Sequence, residues 1–531
     1  MVSKFGCSTL GGVFRGKSGA LALAVIAVSF IAAPSAHATH ANPAVQHLSY
    51  RVGPLDVTPG QNRIGFRTAQ QAKPPVDGWI VGMTPNLVNA NGSVPSTDRV
   101  MFHHGVWINT SHRDLTTTRF GERFMATGEE KTKMILPPGY GLRYEASDNW
   151  LLNHMIHNLT AASMELYITY TIDFIPDTSP AAQGIRPVVP VWMDVVNGSG
   201  YPVFDVHKGT GSNGRFTYPT DAENPYPDGI RRNLYQLPMD GVLVAGAGHV
   251  HTGGLSTDLW LMRSGARYDG PTCNQRATRK LRRQCWARAP RVRGNRVHLF
   301  HSKAKYFEPR GPVSWDVAMT GSRPDWMVRV EEGDVLALNT TYETRRASWY
   351  ESMGISVVYM APGDGGRNPY RTKVDWPGEV THGHLPENNV HGGSRRTMPD
   401  PATMAGGPFP NSNILIDAFT YGMGDFRLPG MQGRPPRVRR GRSLTFELSN
   451  GDASQEIWHS ITSCAPPCNR NTGIAYPIPD GEHQFDSGQL GDVVPAVYRR
   501  TWETPRNLPV GTYTYFCRIH PMMRGAFRVV K

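Results

Sequence analysis

Short runs rich in β-branched and aromatic residues, each closed by turn residues, recur along most of this chain. They are RVMFHHGVWIN from Arg99, MELYITYTIDFIP from Met164, DGVLVAGAGHVHTGG from Asp240, DVLALNTTY from Asp334 and MGISVVYMA from Met353. Side chains alternate between the faces of a strand, and runs of this length at this spacing build antiparallel sheets packed as sandwiches. No amphipathic helix of any length and no internal repeat interrupts the pattern. With 56 Gly, 43 Pro and 39% hydrophobic residues the chain is folded and loop-rich, and 531 residues exceed what one core organises. The expected fold is therefore all-β, with tandem antiparallel β-sandwiches.

Residues 361–411, from APGDGGRNPY to MAGGPFP, are dense in Gly, Pro, Asn and charge and read as a linker. His382, His384 and His391 fall in it and are expected as exposed loop histidines. The β pattern returns over 412–531 with ILIDAFTY, SLTFELSN, IWHSIT and GTYTYFC, a length that suits one further sandwich.

At the other end, Lys4, Arg15 and Lys17 precede an apolar run from Ala20 to Ala33 and an A-x-A pattern at Ala36 to Ala38. This is the pattern of a secretory signal peptide spanning 1–38. The run is shorter than the roughly 20 residues a membrane span needs. The mature chain is expected to begin at Thr39, in the periplasm or outside the cell, with no integral membrane segment. Cleavage removes three cations and no anion, taking the formal charge from +13 to +10. The remaining cations are dispersed apart from Arg276 to Arg293 and Arg434 to Arg442, and no stacking or helical reading motif accompanies them. Nucleic acid is not an expected partner.

Export also gives the cysteines meaning. Cys7 leaves with the signal, while Cys273 with Cys285 and Cys464 with Cys468 are close pairs suited to disulfides. Cys517 is left over, in YFCRIHPMMRGAF. One thiolate, two imidazoles and a weak axial thioether make a type 1 copper site, because that mixed donor set suits both copper oxidation states. Cys517, His520 and Met523 supply three donors from one loop, and His459 in EIWHSIT is placed to be the fourth. The region resembles the cupredoxins: YFCRIHPMMRG is close to their Cys-x-x-His-Pro-x-Met-x-Gly loop, and WHSIT, FDSG and GTYTYFC fall in the usual order. The resemblance implies a Greek-key β-sandwich over 412–531 that transfers electrons through one blue copper.

Upstream lie His103-His104 in MFHHGVW, His154 and His157 in NHMIHNLT, and His249-x-His251 in GHVHTGG. Residues two apart on a strand share a face, so His249 and His251 can reach one ion; adjacent His103 and His104 can do so only where the strand bends. The order HH, HxxH, HxH and then a late-strand Met resembles the copper type II, ascorbate-dependent monooxygenases, the family of peptidylglycine α-hydroxylating and dopamine β-monooxygenases. GHVHTGG, and VEEGDVLALNTTY followed by YESMGISVVYM, carry most of the match. It implies two monooxygenase-like sandwiches, 39–200 and 201–360, with two coppers. The first would be held by His103, His104 and His157, with His154 as the alternate; the second, which binds O2, by His249, His251 and Met353. Met360 is expected in the core. Where the peptide-hydroxylating member clamps a carboxylate, this chain has Ala247, Ile355 and Val357, which favours an apolar or bulkier substrate.

Other motifs carry less. The neighbours Glu129-Glu130 and Glu331-Glu332 diverge on a strand, GTGSNG at Gly209 lacks the lysine of a phosphate loop, and no GxSxG elbow surrounds a serine. The expectation is an exported copper monooxygenase acting on a small organic substrate with O2. Its electrons would come from the fused blue-copper domain, from ascorbate or another reductant, or from a redox partner protein. The alternative is a non-enzymatic copper-binding or storage protein in which only the cupredoxin is redox active. Zinc upstream is disfavoured by the thioether.

Overall fold

The computed structural model describes residues 44–531 apart from 264–295, 308–315, 382–399, 427–433, 465–484 and 493–498, and apart from positions 98, 200–201, 346–348, 456, 518 and 521–522. The architecture is all-β, built around three separate hydrophobic cores. The signal-peptide residues, the Cys273/Cys285 pair, Cys468 and the three linker histidines lie outside the described residues. Cys464 is disulfide-bonded, and Cys517 is free and buried. Among the described residues, no helix is long and apolar enough to cross a membrane.

The first core lies between a four-stranded sheet and part of a much larger one. The smaller sheet runs Asn62–Thr68, Trp150–Asn158, Val100–Arg113, Gly121–Thr127. The larger begins Gln46–Val57, Met164–Pro176, Gly78–Asn89, Tyr140–Tyr144, Arg186–Asp194 and continues without a break into Gly354–Pro362 and Gly241–Val250. Arg186–Asp194 makes the join, parallel to Tyr140–Tyr144 on one side and antiparallel to Gly354–Pro362 on the other. The two upstream sandwiches thus share a sheet.

That sharing explains why the run GISVVYM is apolar apart from Ser356, whose hydroxyl donates to the Ala247 carbonyl (3.2 Å). Ile355, Val357 and Tyr359 enter the first core with Val242 and Val244, while the alternate Val358 and Met360 enter the second with Leu243. A strand covered on both faces needs apolar residues at every position rather than at every second one. Met360 is a core residue, as expected.

The second core is closed by Arg296–Tyr306, Gly254–Met262 and Val335–Glu343. Part of the stretch read as a linker packs here: Val374 is fully buried, Tyr370 and Trp376 pack against the same core, and Val380 pairs with Thr320. The Gly and Pro content gives this strap its turns, but its aromatic residues anchor it.

The third core, from Ile414 to Val529, lies between two short sheets. One runs Ile414–Ile416, Thr445–Leu448, Thr501–Glu503; the other runs Arg437–Arg439, Arg524–Val530, Gly511–Phe516, Thr462–Cys464.

Candidate metal centres

Cys517 directly follows the strand Gly511–Phe516, and the chain returns in the antiparallel strand Arg524–Val530. The turn is tight: Cys517 N–H donates to the Met523 carbonyl (3.2 Å), and Met523 N–H donates to that of His520 (2.9 Å). His459 is held across from it by a two-way backbone bridge to Leu490 (3.1 and 2.8 Å). Its Nε2 lies 2.9 Å from Asp452 Oδ2, on a short helix whose N-cap is Ser449, so Nδ1 faces the thiol.

The donor atoms of the three residues lie 3.2 Å (His459 Nδ1 to His520 Nδ1), 3.9 Å (Cys517 Sγ to His459 Nδ1) and 3.9 Å (Cys517 Sγ to His520 Nδ1) apart. These separations are short enough for all three atoms to contact one ion. The donor set fits a trigonal thiolate–imidazole site, with Met523 fully buried in the same core.

Burial pushes the Cys517 thiol up, but the His459 imidazole beside it and the backbone N–H groups of Ser460 and His520, each 3.3 Å from Sγ, more than offset this and hold it below its ordinary value. The thiolate is the ligand form. Burial lowers His459, and Asp452 and Cys517 outweigh burial to leave it raised.

The upstream histidines also assemble. Strand Val100–Arg113 pairs with Trp150–Asn158, and the register slips between Phe102 and His104. The extra residue is His103, and the bulge is the bend that lets neighbours share a site. Ring centroids stand 5.8 Å apart for His103 and His104, 6.4 Å for His103 and His157, 4.1 Å for His103 and His251, and 5.0 Å for His249 and His251. The two expected ligand sets therefore meet around His103. Of the alternates, His157 is the one beside His103. His154 instead packs over Gly65, where a Cβ would come within 2.6 Å of its ring.

Carboxylates and a phenol frame the cluster. Glu130 Oε1 is 3.0 Å from His249 Nδ1, while Glu129 turns away to accept from Phe102 N–H (2.7 Å); the two acids diverge, but from a turn that follows strand Gly121–Thr127 and not, as expected, from a strand. The Glu351 carbonyl accepts from His251 Nδ1, and its Oε2 lies 3.5 Å from His103 Nε2 and accepts from Asn62 (3.2 Å). Glu351 has φ +53, a left-handed conformation that a long side chain adopts only under constraint. The Tyr342 hydroxyl accepts from the N–H groups of His251 (3.1 Å) and Met353 (2.9 Å) and donates to the Met353 carbonyl (2.7 Å), tying two expected ligands to one atom.

His104 Nδ1, His157 Nε2 and His249 Nε2 are buried without a hydrogen-bond partner among the described residues. Buried polar atoms nearly always have one. Three orphaned imidazole nitrogens are available to a ligand, although among the described residues no three donor atoms of this cluster lie within 4.8 Å of one another as those of His459, Cys517 and His520 do. Burial holds His104 at about 3 and His157 at about 4, and burial with neighbouring imidazoles holds His103 and His251 well below the ordinary value, so all four stay in the neutral form that binds metal.

Met353, also buried, lines a pocket of about 120 Å³ with His104, His249 and Ile355. A larger cavity of about 320 Å³ shares His249 and Ile355 with it and is walled by Ala247, Val357, Met134 and Tyr359. The positions singled out in the sequence as unable to clamp a carboxylate are thus cavity wall.

The two centres adjoin. The His157 and His520 rings stand 5.8 Å apart, nearly perpendicular. Phe419, 5.0 Å from His520, packs over Gly60, where φ is +60 and a side chain would strike the Phe419 ring. Local sequence gave no reason to single out Glu351, Asp452 or Tyr342, and it marked Glu130 only as half of an acidic pair.

No family model and no curated protein matches this chain. Among solved structures it is similar to a peptide-N(4)-(N-acetyl-β-D-glucosaminyl) asparagine amidase, with 10% identity over 61% of this chain and 98% of that chain and a TM-score of 0.25. It is also similar to the major capsid protein P2 of bacteriophage PM2 (8% identity, 61% of this chain and 100% of that one, TM-score 0.21). A third likeness is to Sulfolobus turreted icosahedral virus (11%, 56% and 91%, TM-score 0.22). At such TM-scores these likenesses carry no argument about fold or activity.

Proposed function

We propose that the chain is an exported copper-dependent monooxygenase with a fused blue-copper domain that supplies it with electrons. The supporting observation is the meeting of His103, His104, His157, His249 and His251 beside the cavity that Met353 borders, with His157 edge-on to His520. Copper held by these residues supplies one-electron redox chemistry and O2 activation. The overall change is R–H + O2 + 2 e⁻ + 2 H⁺ → R–OH + H2O, with the two electrons entering one at a time through Cys517.

Each part of the chain has a task in this reading. His249, His251 and Met353 hold the copper at the cavity, and His103, His104 and His157 the one toward the C-terminal domain. Glu130 orients His249, and Tyr342 fixes the spacing of His251 and Met353. The apolar walls at Ala247, Ile355 and Val357 exclude water and select a small apolar organic substrate presenting a C–H bond.

The test combines copper stoichiometry by mass spectrometry with the visible spectrum of the mature protein. Three coppers per chain and an intense absorption near about 600 nm, the band of a copper–thiolate site, falling toward two coppers in Met353→Ala, support the reading. One blue copper indifferent to Met353 overturns it and leaves the electron-transfer domain alone. Anaerobic stopped-flow reduction tests the relay: blue-band bleaching must precede upstream reduction at a rate independent of protein concentration.

A further inference from the structure

We propose that a further divalent-cation site lies on the outer face of the second sandwich, formed by Asp258, His298 and His301. Asp258 Oδ1 stands 3.0 Å from His298 Nε2 and 2.7 Å from His301 Nδ1, and all three donor atoms lie within 4.8 Å of one another. The cluster shares no residue with the two centres above.

The sequence hides this site for a physical reason. His298 and His301 are three apart on strand Arg296–Tyr306, and a regular strand sends such residues to opposite faces. The pairing with Gly254–Met262 slips here: Leu259 faces Phe300, but Trp260 faces His298. Leu299, the residue passed over, and Phe300 are both buried, and His298 and His301 emerge on the same side as Asp258. A bulge that re-aims side chains is a recurrent feature of functional sites.

The surroundings are those of a ligating imidazole. His298 Nδ1 lies 3.1 Å from Asp375 Oδ2, so the ring has one nitrogen toward Asp258 and the other on a carboxylate, the arrangement that fixes tautomer and orientation in metal-binding histidines. Ser256 Oγ donates to Asp258 Oδ2 (3.0 Å), so Oδ1 is the oxygen that faces the two imidazoles. Trp260 covers one side of the His298 ring at 4.5 Å, with the Arg296 guanidinium over its outer face. The two carboxylates, Asp258 and Asp375, balance the charge of a divalent ion, which takes the place of the ring proton between His298 and Asp258. Two nitrogens and one oxygen suit Zn²⁺ or Cu²⁺, with the remaining positions open to water. Asp375 belongs to the strap that Val374 and Trp376 anchor, so a bound ion also fastens that strap to the sheet.

Equilibrium dialysis of the copper-loaded full mature chain against Zn²⁺ tests the site, with the blue absorption and far-UV circular dichroism as fold controls. Wild type is expected to take up one more Zn²⁺ per chain than the double variant Asp258→Asn/His301→Ala. Asp375→Asn is expected to keep that ion but to bind it 10–100-fold more weakly. Equal uptake by wild type and the double variant, with both controls intact, overturns the site and leaves an ion-pair network. An unchanged affinity in Asp375→Asn overturns the role of that carboxylate.

Discussion

The C-terminal centre takes three of its four expected ligands from the single turn between Cys517 and Met523. The upstream cluster gathers His103, His157, His249 and His251 from strands far apart in sequence and in different sheets. Both use the same local device, a carboxylate on the remote nitrogen of a ligand imidazole: Asp452 behind His459, Glu130 behind His249. A loop that carries its own ligands can form wherever its sandwich folds. A cluster assembled across sheets exists only if register and bulge are right, so its affinity is tied to the packing of the whole upstream half.

The sharpest break in that comparison is Cys517→Ser. Removing the thiolate is expected to abolish the blue absorption and one copper per chain while the upstream copper content stays unchanged, read by spectrum and mass spectrometry together. Loss of upstream copper as well would mean the centres are not separately assembled.

Next in size is Glu130→Gln. Gln keeps the shape but weakens the hold on His249 Nδ1, and copper affinity at the upstream cluster should fall 10–100-fold in competition with a chelator, the usual cost of losing such a partner. Asp452→Asn should leave copper in place, because the tight turn and the Leu490 bridge still position the ligands, and shift only the energy of the blue band. If Asp452→Asn empties its site as readily as Glu130→Gln, local and assembled centres do not differ in robustness.

The same contrast governs what could be read from the chain. The C-terminal candidate ligands were legible because the spacing of Cys517, His520 and Met523 within one turn is itself the geometry, and the structure places donor atoms of His459, Cys517 and His520 within 4.8 Å of one another. Upstream, the pairing of histidines within short β-rich runs singled them out, and Ala247, Ile355 and Val357 were read as favouring an apolar or bulkier substrate. Alternation could not show that strand Arg186–Asp194 joins two sandwiches into one sheet, since pairing partners are not written locally. Nor could it locate the slips at His103 and at Trp260, where one extra residue turns a face. Glu351 and Tyr342 were invisible for the same reason: their role comes from what folds against them.

Asp194 gives the smallest effect and tests whether the upstream half behaves as the packed unit this contrast requires. It is fully buried beside the Met353 pocket, accepts from Val196 N–H at 2.8 Å, and burial pushes its carboxyl up to about 6, with Val196 and Arg123 offsetting only part. The folded state keeps its proton to about pH 6, whereas the unfolded chain releases it near pH 4. Below pH 4 both states are protonated and the group contributes no penalty. As pH rises from 4 to 6 the unfolded state ionises first, so stability falls, by about 3 kcal/mol at most, and the loss is constant above 6. Asn keeps the acceptor for Val196 and does not titrate. Asp194→Asn should therefore raise the melting temperature by a few degrees at pH 7 and by nothing at pH 4. The temperature at which the blue absorption disappears should stay put if the C-terminal sandwich melts by itself. A rise in that temperature alongside the upstream transition would show that the His157–His520 contact makes the two centres melt as one.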